Sequence, residues 1–230
     1  MESDSSSAEF DEKRRLLKFV TQNLEATYGS PLNDSHDDPL DELIATILSQ
    51  STTNINSHRA FASLKARFPD WESVRRARLT SIATAIKSGG LANVKSVVIK
   101  NLLNDILAQR GSLDLSFLKT APTNEARSFL LSLKGVGPKT AACVLLFSCK
   151  HPVFPMDTHI FRILRRIGLL PVKISDELAH QMIEKLIPPE KHYSLHINLI
   201  TLGRRVCHPQ NPKCRQCSLI EYCDFARALL

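Results

Sequence analysis

The residues best placed for chemistry lie in one stretch, Leu133-Lys134-Gly135-Val136-Gly137-Pro138-Lys139-Thr140. Two glycines break an apolar helical run, a proline restarts a second one, and Lys139 falls in the new helix's first turn. A lysine there can do one of two things. Its ammonium can contact a phosphate, or its neutral amine can attack an electrophilic carbon and hold it as an imine. The second use requires loss of a proton, since a lysine free in water is charged at pH 7. A positive helix terminus and partial burial favour the neutral amine, whereas a nearby carboxylate or phosphate favours the ammonium.

The elements that must position Lys139 are legible around it. Ala126, Phe129, Leu130 and Leu133 recur at three- and four-residue steps and predict a helix ending at Lys134. Gly135 can take the left-handed conformation that closes a helix. Pro138 suits a first helical position, where its missing N–H has no intrahelical partner. A second helix then runs through Thr140, Ala141, Val144 and Leu145. The turn between them presents backbone N–H groups at a positive helix end, so Gly135, Val136 and Gly137 are candidates for holding a DNA phosphate. A tight helix–helix turn without a ligand uses the same residues. Asp157, in Phe154-Pro155-Met156-Asp157-Thr158-His159, is a good N-cap for a following helix.

Cys207, Cys214, Cys217 and Cys223 form a second group, spaced C-x6-C-x2-C-x5-C near the C-terminus. Four clustered thiols in an otherwise cysteine-poor chain read as a metal site more readily than as disulfides, which implies a reducing compartment. Zinc accepts four thiolates, although its modules commonly use paired short knuckles and only Cys214 and Cys217 make one here. Cys143 lies beside apolar positions as a small buried thiol. Six of the histidines (58, 151, 159, 180, 192 and 196) show no ligand spacing and read as surface or core residues.

Charge narrows the partner. The net +7 hides 11 acidic and 4 basic residues in positions 1–42, leaving 12 acidic and 26 basic in 43–230, a net of +14. Such a body suits a polyanion bound with counterion release. No apolar run approaches the roughly 20 residues of a membrane span. The serine-rich, acidic start resembles neither a signal peptide nor a transit sequence. An intracellular protein is expected, in a nucleus or nucleoid rather than an organelle, and as a monomer.

Along the chain, apolar residues recur at helical steps from Leu16 to Leu202, and no segment alternates convincingly as a strand. Leu91, Val94, Val97, Val98, Leu102 and Ile106 predict one long helix, and Asn33 to Pro39 an acidic loop. The expected fold is all-α and two-lobed. Residues 1–9 are expected to be disordered, 39–135 to form a central lobe, and 10–38 with 136–206 to form the other. A cysteine loop, 207–225, closes the chain.

With these pieces assembled, the chain resembles the endonuclease III family of helix-hairpin-helix DNA glycosylases from about Pro39 to Asp224. Leu133 to Ala141, Asp157-Thr158-His159-Ile160-Phe161-Arg162 and the four cysteines carry the resemblance. It implies one contiguous domain over about 39–225, acting on duplex DNA in base excision repair. Lys139 matches the lysine that attacks C1′, displaces the base and forms a Schiff base, from which β-elimination removes the 3′ phosphate. Asp157 matches the aspartate that helps deprotonate this lysine or stabilises positive charge on the sugar. Gln50, in Leu48-Ser49-Gln50-Ser51-Thr52-Thr53, matches a side chain that enters the duplex where the base swings out. The cysteine spacing matches a [4Fe–4S] cluster that holds the fold. Arg204, Arg205, Lys213 and Arg215 around it are expected to reach the DNA backbone. Thr53-Asn54 departs from the best-known members, which carry an acidic residue there. The implied activity is a glycosylase and abasic-site lyase for oxidised pyrimidines. Excision of methylated or modified cytosine is one alternative, and a non-catalytic DNA-binding module is another.

Overall fold

Capping side chains set where several helices begin. Asp38, Thr53, Asp70, Asp157 and Ser175 each accept a backbone N–H from two or three residues further on, satisfying donors that a helix leaves unpaired. The computed structural model describes residues 2–33 and 37–229, with side chains from residue 7. Its α-helices are α1 (Glu2–Tyr28), α2 (Pro39–Ser49), α3 (Asn54–Arg67), α4 (Trp71–Arg76), α5 (Leu79–Ala85), α6 (Ala92–Arg110), α7 (Thr123–Ser132), α8 (Pro138–Phe147), α9 (Thr158–Arg166), α10 (Asp176–Leu186), α11 (His192–Arg205) and α12 (Asp224–Leu229). Short 3-10 turns join some of them, and no strand occurs among the described residues. No described helix is long and apolar enough to cross a membrane.

The chain divides into two compact units. A hairpin unit holds Ser35–His151, and a terminal unit combines Met1–Asp34 with Pro152–Leu230. In the hairpin unit, α2 lies on α8, α3 and α6, burying Leu43, Ile44, Ile47 and Leu48 with Ala141, Val144 and Leu145. In the terminal unit, Leu17, Val20 and Leu24 of α1 join Ile160 and Leu164 of α9 and Leu195, Leu199 and Leu202 of α11 in one core. Burial of such side chains contributes about 1.5–3 kcal/mol each.

The lobe boundaries differ from those expected. α8 was assigned by sequence to the same lobe as the chain ends, yet it belongs with α2. The reason is its composition: positions 140–146 are all buried, so α8 needs apolar cover on every side, and the wide apolar face of α2 supplies it. The junctions therefore fall at 34/35 and 151/152 rather than 38/39 and 135/136.

One further expectation is corrected. Residues 2–9 are helical rather than disordered. No proline or glycine interrupts this run, and Lys13 Nζ meets Glu9 Oε1 at 2.6 Å one turn away, a small helix-supporting pair. The long helix α6 forms as expected; Leu91 at its N-cap, Val94 and Val97 are exposed, and its buried face is Lys95, Ser96, Ile99, Leu102, Leu103 and Ile106. Lys95 turns inward to backbone carbonyls. Met1 and part of the acidic 33–39 loop lie outside the described residues.

Candidate nucleic-acid and catalytic site

The hairpin forms as its glycines and proline dictate. α7 stops at Ser132, and Gly135 takes φ +90°, a conformation that costs an L-residue about 1–2 kcal/mol. A Cβ there would also stand 3.1 Å from Val98 Cγ1 of α6. Gly135→Ala should therefore lower unfolding stability by about 1–2 kcal/mol in urea titration and weaken duplex binding. An unchanged midpoint would mean that the turn readjusts freely.

Gly137 and Pro138 open α8, whose first turn has no side-chain cap. Ala141 N is the first to bond back, to Gly137 O at 3.0 Å. The N–H groups of Lys139 and Thr140 thus lie at an uncapped, positive helix end, a fit for an anion. Gly135 and Gly137 are exposed, Val136 is buried beneath them, and Lys139 is half-buried. The apolar remainder of α8 anchors Lys139 to the core of the hairpin unit.

Gln50 arrives at the same place. It is exposed at the C-cap of α2, and its Nε2 donates to Thr140 Oγ1 at 3.4 Å. That bond is long, so the amide is parked one residue from Lys139 without being locked. Ser51 follows at φ +54°, and Thr53 Oγ1 then caps α3 by accepting from Asn56 N. Threonine performs the cap without the charge an acidic residue would bring, so the loop after Gln50 is neutral.

Two residues of this region were missed by sequence reasoning. Lys95 Nζ donates to the carbonyls of Leu48, Gln50 and Gly89. Leu91, just past Gly89-Gly90, is 60% exposed at φ +49°.

Asp157 belongs to the terminal unit, half-buried at the N-cap of α9. Oδ1 accepts from Ile160 N at 2.9 Å, and the cap leaves Oδ2 for a second partner. The segment leading to it is held at Phe154 and Pro155. Glu184 Oε1 accepts from Phe154 N, His180 Nδ1 pairs with Phe154 O, and His196 Nδ1 pairs with Pro155 O, all at 2.9–3.0 Å. His180 and His196, which read from sequence as surface or core residues, thus hold backbone carbonyls of the segment just before the candidate acid.

The four C-terminal cysteines line one pocket with Val206, Pro212, Ile220, Phe225, Ala226 and Arg166. α9 grips this loop from the Asp157 side. Arg162 donates to Cys207 O at 2.8 Å and, one turn on, Arg166 donates to Cys207 Sγ at 3.1 Å and His208 O at 2.8 Å. Gly203 permits the close approach, since a Cβ there would meet His159 Cβ at 2.7 Å. Burial pushes the Cys217 and Cys223 thiols up, so thiolate formation there needs a cationic partner. Among the described residues no three His, Cys, Asp or Glu side chains are grouped as ligands of a single ion. Arg204, Arg205, Lys213 and Arg215 are all exposed on this unit. The structure therefore gathers Gln50, the hairpin and Lys139 in one unit, and Asp157, the cysteines and the four basic residues in the other.

The HhH-GPD superfamily base excision DNA repair protein family matches residues 44–189. At3g47830 of Arabidopsis thaliana, named as a candidate DNA glycosylase, is 43% identical over 174 residues, covering 75% of this chain and 59% of that protein. Endonuclease III of Thermotoga maritima is 30% identical over 197 residues, covering 86% of this chain and 88% of the enzyme. The chain spans only about a tenth of several longer plant relatives. A non-covalent endonuclease III–DNA complex shares the fold with a TM-score of 0.80 at 24% identity, covering 94% of this chain and 97% of that one. The chain belongs to the HhH-GPD superfamily of base excision DNA repair proteins.

Proposed function

We propose that this protein is a DNA glycosylase and abasic-site lyase acting on oxidised pyrimidines in duplex DNA. One observation carries the reading: Lys139 stands at the uncapped start of α8, with Gln50 hydrogen-bonded to the next residue. In the proposed reaction the hairpin N–H groups hold a backbone phosphate while the target nucleotide leaves the stack. Gln50 fills the vacated space and offsets part of the unstacking cost, a few kcal/mol. The neutral Nζ of Lys139 attacks C1′ and the base departs with the glycosidic electron pair, taking up a proton. Ring opening gives the imine, loss of a C2′ proton expels the 3′ phosphate, and water then releases Lys139. Asp157 takes up the amine's proton or stabilises positive charge on the sugar.

Cys207, Cys214, Cys217 and Cys223 would hold a [4Fe–4S] cluster. The four thiols line one pocket, and their C-x6-C-x2-C-x5-C spacing, with only one short knuckle, favours a cluster over zinc. Such a cluster would tie the C-terminal loop to α9, and Arg204, Arg205, Lys213 and Arg215 would engage the DNA backbone. Purified protein should contain iron and inorganic sulfide in equal amounts.

The neutral Thr53 loop supports a second reading, excision of methylated or modified cytosine. Base release from duplexes bearing an oxidised pyrimidine, uracil or 5-methylcytosine decides between them. Fastest release of the oxidised pyrimidine supports the first reading, and release of 5-methylcytosine alone replaces it. No release from any duplex leaves a lyase or a binding module.

A further inference from the structure

Lys95 is 4% exposed in the first turn of α6. Its ammonium has three N–H donors, and all three are used: Leu48 O at 2.8 Å, Gln50 O at 2.7 Å and Gly89 O at 2.9 Å. A buried charge is costly unless hydrogen-bonded, and burial does push this amine's pKa down. The carbonyls come from two separate segments. Leu48 and Gln50 end α2, where the helix dipole favours a cation, and Gly89 ends the 3-10 turn Lys87–Gly89. Just beyond each contact the chain enters left-handed backbone, at Ser51 (φ +54°) on one side and at Gly90 and Leu91 (φ +70° and +49°) on the other. Such conformations persist only where the surroundings enforce them. The outward side chains carried by the two segments are Gln50 and Leu91, both exposed.

We propose that Lys95 is a positioning residue for base extrusion, its buried ammonium tying the Gln50 and Leu91 segments together so that both side chains enter the duplex as one wedge. The proposal rests on the wedge role of Gln50 given above. Nothing in it depends on Lys95 touching DNA.

The test uses full-length protein and a duplex with 2-aminopurine opposite a tetrahydrofuran abasic analogue. Saturating wild type should raise the fluorescence as the wedge enters the gap and unstacks the opposite base. Lys95→Met should lose most of that rise while still binding. With the base that the wild type releases fastest, the ratio of base release to abasic-site cleavage should fall roughly 10- to 100-fold, the cost of about 1 Å of misplacement. If Lys95→Met does not fold, Lys95→Arg serves, because a planar guanidinium cannot address the same three carbonyls. The Gln50→Ala, Leu91→Ala double variant should reproduce the effect, and adding Lys95→Met to it should cost little more. Proportional loss of both activities, or loss of neither, overturns the proposal. A wild type that gives no fluorescence rise overturns the wedge itself, before any Lys95 variant is made.

Discussion

Lys139→Ala should abolish strand cleavage at an abasic site while still binding the same duplex nearly as tightly as the wild type. The argument lies in what alanine keeps. The backbone N–H groups at the start of α8 remain, and so do Pro138 and the buried run from Thr140 to Leu146 that anchors the helix. The candidate anion site would therefore stay intact, and only the amine proposed to form the imine would be gone. A purely phosphate-contacting Lys139 gives the opposite pattern. Cleavage would persist, while binding would weaken and the slope of log K against log salt would fall by about one. Gel-based cleavage and salt-dependent anisotropy on one preparation separate the two.

The second large effect concerns Asp157. Asp157→Asn should reduce base release by about 10²–10⁴-fold, the usual contribution of a positioned acid or base. Stability should fall by less than about 1 kcal/mol, because asparagine caps a helix as well as aspartate and loses only the charge–dipole attraction. Asp157→Ala loses the bond from Ile160 N as well, and should cost about 1 kcal/mol more. Thermal melts beside single-turnover rates divide the cap from the chemistry. Equal rates for the asparagine variant and the wild type would reduce Asp157 to a cap.

How far these features could be read from sequence depends on where their causes lie. Gly135, Pro138 and the Asp157 cap act within four residues of themselves, so residue type alone announces them, and the structure has each in its expected conformation. Lys95 acts on carbonyls 6, 45 and 47 residues away. A carbonyl is carried by every residue, so no pattern marks the partner, and the lysine interrupts a run of valines that resembles a core face. α8 shows a further limit: its uniform apolarity declares burial but not the neighbour, which is how the lobe boundary was displaced. The histidines illustrate the same point, since His180 and His196 hold backbone carbonyls next to Asp157 that ligand spacing could not reveal.

The central claim is the covalent imine on Lys139, and borohydride trapping on an abasic duplex addresses it most directly. Reduction of wild-type protein with the duplex should give a stable protein–DNA adduct, with peptide mapping placing the sugar remnant on Lys139 and Lys139→Ala giving none. A wild type that binds the duplex, folds normally and yields no adduct, or an adduct carried by another residue, would contradict the account.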